Sequence, residues 1–115
     1  MSVYPSDIHP SSTDFLLVMT TVAEQDDARR IGAELLTRRL VACVQISPIE
    51  SLYRWQGSIQ NEVEWRLVLK TTSERYESLV QALRELHAYE LPAIYAIPVT
   101  EAFEPYATWV REETR

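Results

Sequence analysis

The stretch from Ala42 to Thr71 limits the possible folds more than any other part of this chain. It reads as two long β-strands folded about Gln56-Gly57. On the return strand Ile59, Val63, Trp65, Leu67 and Leu69 take one face, while Gln60, Glu62, Glu64, Arg66 and Lys70 take the other. Such period-2 alternation belongs to a half-buried strand, because successive side chains leave a pleated backbone on opposite sides. Residues 59 to 71, at roughly 3.3 Å each, span about 43 Å. A compact domain of this size has a radius of gyration near ~13 Å, so the ribbon overhangs its own core. Overhanging edges invite pairing with another copy of the chain, and an oligomer is expected before any chemistry is considered.

The outgoing strand changes phase. Ala42, Val44 and Ile46 occupy even positions, whereas Ile49, Tyr53 and Trp55 after Pro48 occupy odd ones. That predicts a bulge or bend at the proline.

The remaining elements follow from periodicity and punctuation. The apolar run 14–21 (DFLLVMTT) is short enough for a strand buried on both faces. Residues 24–40 predict a helix with Ala28, Ile31, Leu35 and Leu36 inward, opened by Glu24, Asp26 and Asp27 and closed by Arg38 and Arg39. Gly32 inside it costs about 1 kcal/mol relative to alanine and points to close packing on the sheet. A second helix, capped by Thr72 or Ser73, carries Tyr76, Leu79, Val80, Leu83 and Leu86. A loop over 87–92, a strand over 93–99 and a last helix over 103–112 complete the chain, the helix turning Phe103, Tyr106, Ala107 and Val110 to one side. The order β-α-β-β-α-β plus a terminal helix is the ferredoxin-like split βαβ arrangement, an α+β fold with an antiparallel sheet. Right-handed crossovers place the first and third strands centrally, and Pro48 and Pro98 then fall in edge strands, where proline is tolerated. Residues 1–13 are polar and proline-bearing and are expected as a loose tail before a single domain over 14–115.

Composition narrows the function. A net charge of −6 disfavours nucleic-acid binding, and the central strand 63–69 lacks the aromatic pattern of RNA-binding modules on this fold. The single cysteine makes no intrachain disulfide, and no apolar run reaches membrane-spanning length, so a cytoplasmic protein without membrane partners is expected. Neither CxxC, HExxH, a glycine-rich phosphate loop nor G-x-S-x-G is present, and no nucleophile has an identifiable base nearby in sequence. A non-enzyme is expected.

The segments LTRRLVACVQI (36–46), SLYRWQGSIQNEVEWRLVLKTT (51–72), LHAYELPAIYAIPVT (86–100) and YATWV (106–110), taken in this order, resemble the CutA family of divalent-cation tolerance proteins. The resemblance covers about residue 15 to the end. It implies a ferredoxin-like subunit in a tight homotrimer, with long hairpins pairing between subunits. It also implies a role in tolerance of copper and other divalent cations, with weak or indirect metal binding. A proposed copper site in a bacterial member uses a cysteine at the end of the first strand and two adjacent histidines after the second helix. The corresponding positions here are Thr20, Leu86 and His87, so one ligand of three is kept. The Pro-Glu pair of many relatives is Pro92-Ala93.

Several residues invite chemistry. His87 could offer an imidazole to a cation, but it also continues the stripe of Leu79, Leu83 and Leu86 and suits a helix C-terminus. Cys43 could be a thiolate ligand, yet cysteine is among the most buried residue types, and nothing in the neighbouring sequence activates it. Lys70, Glu62 and Glu64, joined by Tyr89 and Trp55, could line a cleft between subunits; its carboxylates would suit hard cations. The plainer alternative is a solvated strand face with weak ion pairs. Trp55, Trp65, Trp109 and Tyr53 fit core or interface positions, and His9 lies in the tail. The runner-up function is a small-molecule sensor resembling the trimeric PII signalling proteins, with an anionic ligand held near Lys70.

Overall fold

The computed structural model describes residues 14–115; the expectations for the tail and His9 lie outside the described residues. Strand β1 (Phe15–Val22) is followed by helix α1 (Gln25–Thr37), β2 (Cys43–Trp55) and β3 (Ser58–Thr72). A single 3₁₀ turn (Ser73–Arg75) leads into α2 (Tyr76–Leu86), then β4 (Tyr95–Pro98) and α3 (Glu104–Glu113). The sheet is antiparallel with the order β2-β3-β1-β4, the central and edge placement that right-handed crossovers require.

Alternation explains the packing. Leu16, Val18 and Val22 of β1 and Leu67 and Leu69 of β3 share a core with Ala28, Ile31 and Leu35 of α1 and Leu79, Ala82 and Leu83 of α2. Gly32 makes this approach possible: a Cβ there would sit 2.9 Å from Cγ1 of Val44, as close packing on the sheet anticipated. The opposite face of β1 is not buried as the sequence suggested. Only its Phe15 end is covered, where Ala107 and Val110 of α3 pack with Ala42 and Leu17. Farther along that face Met19 and Thr21 are half-buried, because no described helix reaches them.

Local details differ from the sequence reading for identifiable reasons. Leu36 is 43% exposed, since it falls at the margin of the buried stripe of Ala28, Ile31, Gly32 and Leu35. The helix closes with Arg39 in the left-handed region (φ 58°), Arg39 N–H donating to Leu36 and Leu40 N–H to Leu35. Arg39 carries this conformation in place of glycine, and its guanidinium bonds the carbonyls of Glu112 and Arg115, fastening the end of α3. Neither Thr72 nor Ser73 caps α2 through its side chain; Ser73 N–H instead bonds the Asp14 carbonyl. Phe103 precedes α3 and is exposed, leaving Ala107 and Val110 as its buried stripe.

The bulge at Pro48 does not occur. Register runs unbroken from Cys43↔Lys70 through Pro48↔Trp65 to Trp55↔Ser58. The shift in apolar phase is a change of side. Up to Ile46 the large residues face α1 and α2, and beyond Pro48 they appear on both faces of the ribbon. A two-residue turn at Gln56 (φ 51°) and Gly57 (φ 85°) closes the hairpin, both in the positive-φ region that matches strand twist. The hairpin overhangs as its length predicts: the long axis is 53 Å against 30 and 22 Å, with a radius of gyration of 15.9 Å.

Candidate functional site

The unbroken register decides which side chains can meet. Cys43, Tyr53, Glu62, Glu64 and Lys70 all project from the hairpin face opposite α1 and α2. Six residues of strand nevertheless put Glu64 and Lys70 about 20 Å apart. The residues expected in one cleft therefore form two groups within the chain.

The first group lies where β3 outruns β1. The last partner of β1 is Val22, opposite Trp65, so Glu64 is the first residue of β3 with no neighbour on that side. Tyr89, from the loop after α2, fills the place: its hydroxyl donates to Glu64 Oε2 at 2.7 Å. The Glu64 carboxylate is thereby sequestered, with the residue only 7% exposed. Burial first, and then the bond to Glu64, push the Tyr89 phenol well above its ordinary value. One step farther along, Tyr53 donates to Glu62 Oε1 at 2.6 Å. The carboxylate acceptor holds the proton on the phenol, and the Tyr53 pKa is pushed up to about 12. Each carboxylate is thus matched by a tyrosine hydroxyl. Trp55 stands beyond this group at the tip, partly exposed.

His87 anchors the same loop. Its ring Nε2–H donates to the Thr21 carbonyl at 2.7 Å, and Nδ1 accepts from Tyr89 N–H at 3.1 Å. Those bonds define a neutral imidazole with a single tautomer. The ring also lies against that of Tyr89, centroids 4.8 Å apart. Burial lowers the His87 pKa, opposed in part by the Thr21 carbonyl. Both nitrogens are engaged within the chain, so a cation could reach the ring only by displacing one bond.

The two positions expected to correspond to copper ligands absent here, Thr20 and Leu86, are respectively buried and partly buried. Thr20 is fully buried and its hydroxyl has no hydrogen-bond partner among the described residues. Leu86 packs against the main core. Among the described residues, no three His, Cys, Asp or Glu side chains are grouped so as to hold a metal ion.

The second group is at the other end of the hairpin. Lys70 Nζ donates to the Tyr106 hydroxyl at 3.1 Å and lies 5.2 Å from that ring's centroid. Tyr106 stacks in turn on Trp109, centroids 5.6 Å apart. Cys43, directly across from Lys70, is half-buried and free. Lys70 thus fastens α3 to the sheet, a role that the strand pattern alone did not reveal. The Tyr53–Glu62 pair did leave a signal, since a two-residue turn at Gln56-Gly57 makes these residues diagonal neighbours across the hairpin. Nothing local in the sequence announced Tyr89–Glu64, which joins a loop to a strand 25 positions away.

Comparison with known proteins adds a consistent picture. The family model described as CutA1 divalent ion tolerance protein matches residues 16–113. The chain is similar to the divalent-cation tolerance protein CutA of Thermotoga maritima, 40% identical over 97 residues, covering 84% of this chain and 96% of the relative. Its counterpart from Thermus thermophilus is 39% identical over 99 residues, covering 85% and 96%. The solved structure of an Archaeoglobus fulgidus protein described as a periplasmic divalent cation tolerance protein CutA superposes with a TM-score of 0.86 at 31% identity. That match covers 88% of this chain and 99% of the other.

Proposed function

The chain belongs to the CutA family of divalent-cation tolerance proteins, and from that premise we propose that it acts in cation tolerance as a homotrimer, without catalysing a reaction and with weak or indirect metal binding. The overhanging hairpin carries this reading. Leu52, Ile59 and Val63 are 65%, 69% and 67% exposed on the distal part of the face that α1 and α2 cover nearer the body, beyond the reach of any described helix. Large apolar side chains on an arm of this length, beside an outer edge of β2 that no described strand pairs with, favour burial by further copies. Weak binding is supported by the two occupied nitrogens of His87 and by the tyrosine hydroxyls already bound to Glu62 and Glu64. A cation at either place has to compete with a bond already made.

The sensor alternative gains no comparable support, because Lys70, its anchor for an anion, is engaged by Tyr106. No described helix is long and apolar enough to cross a membrane. The cytoplasm is retained as the compartment on the evidence of one unpaired cysteine, and cell fractionation tests it.

Sedimentation equilibrium at micromolar concentration tests the assembly, with a mass about three times 13.3 kDa expected. A stable 13.3 kDa species would sink it. Equilibrium dialysis against copper, zinc and magnesium, repeated with His87→Ala, tests the metal reading. Weak uptake little changed by the substitution is expected. Tight uptake lost with His87 would contradict it.

A further inference from the structure

The contact between Tyr89 and Glu64 lies at a mechanically decisive point. Over Trp65–Lys70 the β3 strand is supported by β1 on one side and β2 on the other. From Glu64 outward β2 is its sole partner among the described strands, and a two-stranded ribbon is marginal by itself in water. Whatever meets β3 at Glu64 therefore sets the angle at which the arm leaves the body.

We propose that residues 87–91 form a strap that fixes the root of the hairpin arm, with the Tyr89 hydroxyl as latch and the Glu64 carboxylate as its catch. The strap is tied down behind the latch by His87 on the Thr21 carbonyl and by Tyr89 N–H on the same ring. Arg30 adds a long bond to the Leu86 carbonyl, 3.5 Å, where the strap begins. Apolar packing contributes less. The small space beneath the strap, about 20 Å³, is bordered by the charged Asp27 and Arg30 as well as by Val22 and Ile31. The hold on the arm is consequently polar and centred on one hydroxyl. A buried carboxylate that loses its donor bears the full cost of desolvation, so opening the latch is coupled to moving the arm. This inference rests on the assembly reading above, since the arm carries the exposed apolar residues that further copies would cover. Its effect is to present the arm to those copies in one orientation, and so to reduce the ordering cost of association.

Hydrogen exchange on the full chain tests the latch with Tyr89→Phe and Glu64→Gln. Tyr89→Phe keeps the ring and removes the latch. Exchange of amides at 88–91 and 62–65 is expected to rise about tenfold or more, while α2 is unchanged. Glu64→Gln keeps a carbonyl acceptor and should stay within about threefold of the parent. Unchanged exchange in Tyr89→Phe overturns the proposal. Should that variant not fold, Tyr89→Phe combined with Glu64→Leu removes the hydroxyl and the charge together. It is expected to fold with fast-exchanging strap amides, and parental protection there would equally overturn the latch. Sedimentation provides a separate arm: Tyr89→Phe should weaken association about tenfold or more. Faster exchange with undiminished association would refute the strap's part in assembly. If the parent chain is a single-chain species, the assembly reading fails while the exchange experiment still decides the latch.

Discussion

The two halves of the β2–β3 hairpin have the same geometry and opposite environments. Register is continuous from Cys43↔Lys70 to Trp55↔Ser58, so backbone pairing does not distinguish them. In the proximal half Leu67 and Leu69 are fully buried under α1 and α2. In the distal half Leu52, Ile59 and Val63, on the same face, stand exposed. A strand's alternation thus reports that a face is apolar, and says nothing about which body covers it.

The sharpest way to test this contrast is to truncate one leucine in each half. Leu67→Ala should lower stability by about 2–5 kcal/mol at every protein concentration, because it empties a packed core. Leu52→Ala should instead shift the denaturation midpoint in a concentration-dependent way, through the assembly alone. A Leu52→Ala penalty independent of concentration would break the distinction. Next in size is Gly32→Ala, where a methyl group meets Val44 at 2.9 Å. A loss of about 1–3 kcal/mol in urea denaturation is expected, overriding the better helix propensity of alanine.

Thr20→Val deletes a buried hydroxyl that has no partner among the described residues and should raise stability by about 1 kcal/mol, read in the same denaturation series. The smallest effect concerns pH. Burial lowers the His87 pKa in the folded chain, so the unfolded chain holds more protons near neutrality. Stability should be full above about pH 6.5 and fall as the pH drops from there through the folded pKa, where the loss levels off. Denaturation midpoints at several pH values, compared between the parent and His87→Ala, should show that slope only in the parent.

Much of the fold was legible in the residues. The strand alternation of 59–71, the helical stripe Leu79–Leu83 and the turn at Gln56-Gly57 are local patterns set by a repeat of two or 3.6 residues or by positive φ. Pro48 misled because a proline beside a phase change resembles a bulge. At an edge strand its missing N–H costs nothing when it faces outward, so the ladder continues. The candidate site was less legible. Lys70 and Glu64 share a face and were expected in one cleft between subunits; within a single chain strand rise keeps them apart, and each is taken by an aromatic hydroxyl from a distant segment. The imidazole bonds of His87 to a carbonyl 66 positions away leave no trace in spacing.

The sequence by itself determined the order of elements, the long hairpin and the family to which the chain belongs. Those properties follow from short-range periodicity, turn chemistry and a succession of motifs. Only the tertiary structure decided that α3 covers one end of the open face, that Thr20 is buried with no partner among the described residues, and that Tyr89 meets Glu64 at the root of the arm. These depend on where separate segments come to lie relative to one another. A hydrogen bond within a few tenths of an ångström of 3 Å is set by that placement, which no local repeat in the chain specifies.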